Sequence, residues 1–103
     1  MGCLKGTQRK YLRGLAHKLK PVVYIGKQGL IPSVILAVDE ALDAHELIKL
    51  RFIDFKEKDQ KEDISAKIEK ETSSECVGII GHQSIFYREH RNPKKRKISA
   101  LVV

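Results

Sequence analysis

The sequence predicts an α/β fold: a single domain with a mixed four-stranded sheet, and three observations predict it. Apolar residues recur at helical spacing in three segments, β-branched or alternating apolar runs stand between them, and the last two runs are parted by the tight segment Gly81 to Gln83. Strands alternating with helices imply βαβ crossovers and parallel neighbours, while the closing pair implies an antiparallel hairpin. The predicted order is α-β-α-β-α-β-β.

Each element has its own signal. From Thr7 to Leu19, Tyr11, Leu12, Leu15, Ala16 and Leu19 share a helical face, with Thr7 placed as N-cap and Pro21 as the stop. Arg9, Arg13 and His17 follow at i, i+4 and i+8 on another face, joined by Lys10. "PVVYI" reads as a short buried strand. Pro32 suits the first turn of a second helix, where Val34, Ile35, Val38, Ala41 and Leu42 face inward and Asp39, Glu40 and Asp43 outward. "ELIKLRFI" alternates: Ile48, Leu50 and Phe52 take one side, and Lys49 and Arg51 the other, expected to be wet and basic. Asp59 and Glu62 resemble a capping box opening a third helix through about Thr72, anchored by Ile64 and Ile68. "CVGIIG" and "SIFYR" form the hairpin.

At 103 residues the chain is one domain, expected over residues 1–90, followed by a basic tail at 91–103 that contains "HRNPKKRK" and ends in "ISALVV". Lysine and arginine number 20 against 13 acidic residues, a net charge of +7 that favours a polyanionic partner. Nucleic acid leads, because no run approaches transmembrane length and the apolar helix faces are needed for a core. "MGCLKG" lacks the hydroxyl a myristoylation signal needs at Gly6, and Cys3 and Cys76 are too few for a disulfide scaffold, so the expected setting is the cytoplasm. A monomer is favoured.

The motif that matters most is "VYIGKQGL". A Gly-x-x-Gly loop can be a plain turn, a phosphate cradle or a backbone clamp on RNA. Here Gly26, Lys27, Gln28 and Gly29 lie between a strand and a helix N-terminus, whose free N–H groups and dipole favour an anion. The Walker pattern and the third glycine of a dinucleotide fingerprint are missing, and a KH loop would join two helices. Arg9, Lys10, Arg13 and His17, the Lys49/Arg51 strand face, and Arg88 with Lys94, Lys95, Arg96 and Lys97 are candidates to extend the loop into one basic track. Stacking is expected to add little, since Tyr11 and Phe52 read as core residues. "PKKRK" also resembles a nuclear localisation signal, although phosphate contact ranks first. His17, His45, His82 and His90 make no metal spacing with the cysteines, and no nucleophile motif is found; no catalytic role, metal or cofactor is expected.

"RKYLRGLAHKLKPVVYIGKQGL", "ALDAHELIKLRF" and "CVGIIGHQSIFYR" together resemble, in order and spacing, the three signature blocks of the CRM domain, especially its small stand-alone bacterial form. The resemblance spans about Gln8 to Arg88. It implies a mixed four-stranded sheet similar to the C-terminal domain of translation initiation factor 3 with an extra N-terminal helix. It also implies RNA binding, with large-subunit ribosomal RNA or its precursor particle as partner and assistance to ribosome assembly as the role. Plant organellar members aid group II intron splicing, so an intron-splicing factor or general RNA chaperone is an alternative, as is a basic module that meets an acidic protein. The family's loop falls on Gly26 to Gly29 and its basic helix positions on Arg9, Arg13 and His17. Ile31 and Pro32 depart from the hydroxyl or acidic residue that commonly opens the second helix.

Overall fold

Period-two and period-3.6 patterning meet in three layers. The structure, a computed structural model, describes residues 4–96. The elements are α1 (Gly6–Ala16), β1 (Val23–Ile25), α2 (Pro32–His45), β2 (Leu47–Phe52), α3 (Lys58–Thr72), β3 (Glu75–Ile80) and β4 (Gln83–Tyr87), then a 3-10 turn at Pro93–Lys95. The crossover through α2 leaves β1 and β2 parallel, and β4 pairs antiparallel with both β2 and β3, so the sheet order is β1-β2-β4-β3. The predicted α/β class, element order and mixed sheet are all present.

The sheet is covered on both faces, unequally. On one face Val38 and Leu42 of α2 and Ile64 and Ile68 of α3 pack against Val23, Ile25, Ile48, Leu50, Phe52 and Phe86. Each fully buried Leu, Ile or Phe there contributes about 1.5–3 kcal/mol relative to exposure. On the other face α1 sets Leu12 and Ala16 against Leu47, Val77, Ile85 and Tyr87, a smaller cluster.

Four sequence expectations are corrected. The helix predicted to Leu19 ends at Ala16, and Thr7 lies inside it: Lys5 is the N-cap, its N–H donating to Gln8 Oε1 at 2.7 Å. The buried stripe of α1 is Gln8, Leu12 and Ala16, whereas Tyr11, Leu15 and Leu19 are each 39% exposed. A single α1 row fits between the sheet and solvent, so the wider apolar stripe is only half used. The capping box of α3 is formed by Glu57 and Gln60, two residues before the expected pair.

At the end of β4, Tyr87 is buried, and its hydroxyl has no hydrogen-bond partner among the described residues. Burial, reinforced by the Glu46 and Glu89 carboxylates and offset in part by Arg96, pushes its pKa up to about 12. A raised phenol pKa contributes stability that is fully present below pH ~10 and is lost as pH climbs towards that higher value. Alkaline titration followed at 295 nm should therefore show one of the three tyrosines ionising about two units late. In Tyr87→Phe that late step should vanish; if it persists, another tyrosine is responsible.

Candidate nucleic-acid interface

The Gly-x-x-Gly loop is a tight turn. Gly29 N–H donates to Gly26 O at 2.9 Å, which leaves Lys27 and Gln28 exposed at the tip. Gly29 follows at φ +70°, a conformation that glycine adopts at little cost, and a Cβ there would lie 3.4 Å from the Phe55 ring. Gly26 differs: it has no positive φ, and a Cβ on it would meet nothing within 4 Å. The fold therefore requires a glycine at position 29 but not at position 26. Just beyond the loop, α2 opens on Pro32 with Ile31 as N-cap and no side-chain cap, so the positive end of the helix dipole is not screened by a capping oxygen.

Arg51 and Lys49 share a sheet face but not an environment. Lys49 is 8% exposed, in a groove of about 510 Å³ lined also by Leu15, Leu19 and Val22. The wet face expected for it is largely covered. Arg51 lies two residues nearer the loop, past the reach of α1, and is exposed. Its register partners are Tyr24 on β1 and Gln83 on β4, and Gln83 in turn pairs with Ile80 on β3. Paired residues on neighbouring strands point to one face. Tyr24, Arg51, Gln83 and Ile80 thus form a row across all four strands, with Tyr24 54% and Ile80 58% exposed. The Gly26–Gly29 turn continues directly from the β1 end of this shelf. Sequence reasoning missed Tyr24 because "PVVYI" reads as a fully buried strand, and it assigned Tyr11 to the core, where it is not.

The remaining basic candidates divide. Lys10 on α1 and His17 just past its C-terminal end are exposed. Arg9 pairs with Glu75 at 2.6 Å and donates to Cys76 O at 3.0 Å, and Arg13 donates to Val77 O at 2.9 Å. The Arg13 stem lies across Gly78, where a Cβ would come within 2.7 Å of it. These two arginines hold α1 on β3 as well as lending charge to its surface.

Arg88 is not part of a track with the loop. Its guanidinium bonds to Asp39 Oδ1 (2.6 Å), Thr72 O (2.7 Å), Asp43 Oδ1 (2.9 Å) and Asp39 O (3.0 Å), with a side chain 17% exposed. It follows the β4 residue that pairs with Leu47, whereas the loop follows the β1 residue that pairs with Phe52. Five steps of strand, about 17 Å, separate those two ends of β2. Lys94, Lys95 and Arg96 belong to the Arg88 end: they line a broad groove of about 920 Å³ with Asp39, Glu40 and Asp43. Arg96 pairs with Glu89 at 3.1 Å and donates from Nε to His90 O at 2.9 Å. Lys97 and "ISALVV" lie outside the described residues, as does Cys3.

Among the described residues, no three His, Cys, Asp or Glu side chains are grouped to hold a metal, and no helix is long and apolar enough to cross a membrane. Burial, with the Glu69 carboxylate adding to it, raises the Cys76 thiol pKa above its usual range and keeps the thiol protonated.

A three-layer α/β domain with a glycine turn beside an uncovered, positively charged sheet end defines the class. The sequence profile of the CRS1 / YhbY (CRM) domain matches residues 4–88, and the chain belongs to that family. It is 36% identical over 92 residues to the "Probable RNA-binding protein YqeI" of Bacillus subtilis, covering 89% of this chain and 95% of that one. A Haemophilus influenzae protein named "RNA-binding protein" is 37% identical over 94 residues, covering 91% and 94%. The solution structure of SAV1595 from Staphylococcus aureus superposes with a TM-score of 0.79 at 34% identity, covering 94% of this chain and all of that one.

Proposed function

We propose that this protein binds RNA through its sugar-phosphate backbone, associates with large-subunit ribosomal RNA or its precursor particle, and assists assembly of that subunit. The observation that carries the RNA reading is the Gly26–Gly29 turn. It raises Lys27 and Gln28 into solvent beside an uncapped helix N-terminus, and Gly26 is open on its outer side. A phosphate lying there would meet backbone donors, the helix dipole and a mobile ammonium together. The names of the relatives support the same reading. Arg51, Lys10 on α1 and the C-cap residue His17 supply further contacts, while Lys94 and Lys95 form a second basic area at the far end of the sheet. RNA shape then dominates recognition, as expected for a protein whose contacts go mainly to phosphates.

Two measurements test this. Lys27→Ala is expected to weaken binding to a structured ribosomal RNA fragment and to reduce the slope of log K against log salt by ~0.7–0.9, the release of one phosphate contact. An unchanged slope in a folded variant would remove Lys27 from the contact set. For the ribosomal role, tagged protein in a cell extract should sediment with large-subunit precursors at low salt. Protein found only at the top of the gradient would overturn it.

A further inference from the structure

We infer that the shelf formed by Tyr24, Arg51 and Gln83 is a stacking site for an unpaired nucleobase, directly beside the backbone clamp. This rests on the RNA reading above and deepens it.

Three features of the shelf lead to this inference. Tyr24 is more than half exposed on a β-strand whose neighbours Val23 and Ile25 are buried, so the strand is fixed while the ring is offered to solvent. Arg51 is its register partner, and adjacent strands run about 4.8 Å apart, close enough for a guanidinium to stand beside the tyrosine ring or over a base resting on it. Gln83 comes next in the row with an amide that can both donate and accept, and it is partly exposed. The row thus offers a π-face, a cation and a hydrogen-bonding edge in sequence over about 10 Å. That is roughly the reach of one nucleotide stacked on an aromatic side chain and read along its edge.

The position supports the same occupant. β1 runs from Tyr24 through Ile25 straight into Gly26, so a strand whose phosphate sits at the turn carries its adjoining base over the shelf. The face also suits the charge of an RNA strand: Arg51 lies on it, and it carries no acidic residue in the row. An acidic peptide would satisfy the cations but leave the tyrosine face unused. Since α1 covers only the two rows nearer Leu47, the shelf stays clear of the fold's own helices.

The test compares a ribosomal RNA hairpin carrying a four-nucleotide bulge, with 2-aminopurine as one bulged base, against the same hairpin fully paired. Tyr24→Thr replaces one strand-favouring residue, an aromatic, with another, a β-branched one, at an exposed strand position and should melt like wild type. It is expected to bind the bulged hairpin about 5- to 100-fold more weakly and to lose the 2-aminopurine fluorescence change, while its affinity for the paired hairpin stays the same. Tyr24→Phe should retain both properties. Wild-type affinity of Tyr24→Thr for the bulged RNA would overturn the shelf alone. Failure of the wild-type protein to bind either hairpin would overturn the RNA reading, and the shelf with it.

Discussion

Replacing Arg88 with methionine is expected to lower the stability of the domain by ~2 kcal/mol and its melting temperature by roughly 8–16 °C, without altering the salt slope of RNA binding. The methionine keeps the apolar stem but removes four charge-assisted hydrogen bonds. The carbonyl oxygens of Thr72 and Asp39 each lose the Arg88 donor, and α2 loses its tie to the end of β4. The loss is held near 2 kcal/mol because Asp39 and Asp43, 46% and 68% exposed, turn to water once released. A buried pair would lose more. Thermal unfolding with a parallel salt titration checks both halves of the claim. A stable variant with a shallower slope would return Arg88 to the RNA surface.

The two glycines of the turn should respond in opposite ways. Gly29→Ala places a Cβ at φ +70° against the Phe55 ring and is expected to destabilise the fold by ~1–2 kcal/mol. Gly26→Ala meets no neighbour and is expected to hold or raise stability by up to ~1 kcal/mol, because alanine restricts the unfolded chain. RNA affinity should nevertheless fall in Gly26→Ala by ~5- to 30-fold, since the added methyl stands where the phosphate backbone comes closest. If Gly26→Ala binds as tightly as wild type, no close approach occurs at that glycine and the clamp is reduced to Lys27 and the helix end.

Much of this architecture is local and was legible. Ile48, Leu50 and Phe52 alternate on β2, Val38 and Leu42 recur at helical spacing on α2, and Pro32 stands at its first turn. The Gly26–Gly29 turn was visible as well, because four adjacent residues contain it. What the pattern misplaced was less local. It set Tyr11 in the core and Arg88 on the outside, because a one-dimensional period gives a face without saying what covers that face.

The sequence by itself determined the order of elements and the presence of a glycine turn before a helix, which follow from residues within a few positions of one another, the mixed sheet, which follows from that order, and the basic charge, which follows from composition. Only the tertiary structure decided which cations are free. Arg9 reaches Glu75 and Arg88 reaches Asp39 across long stretches of chain, and Lys49 sinks beneath the end of α1 while Arg51 does not. It also decided that Tyr24 faces outward, because α1 is too short to cover the last row of the sheet. Short-range periodicity fixes which way a side chain points, but its neighbours, and so its remaining chemistry, are set by contacts between residues far apart in the chain.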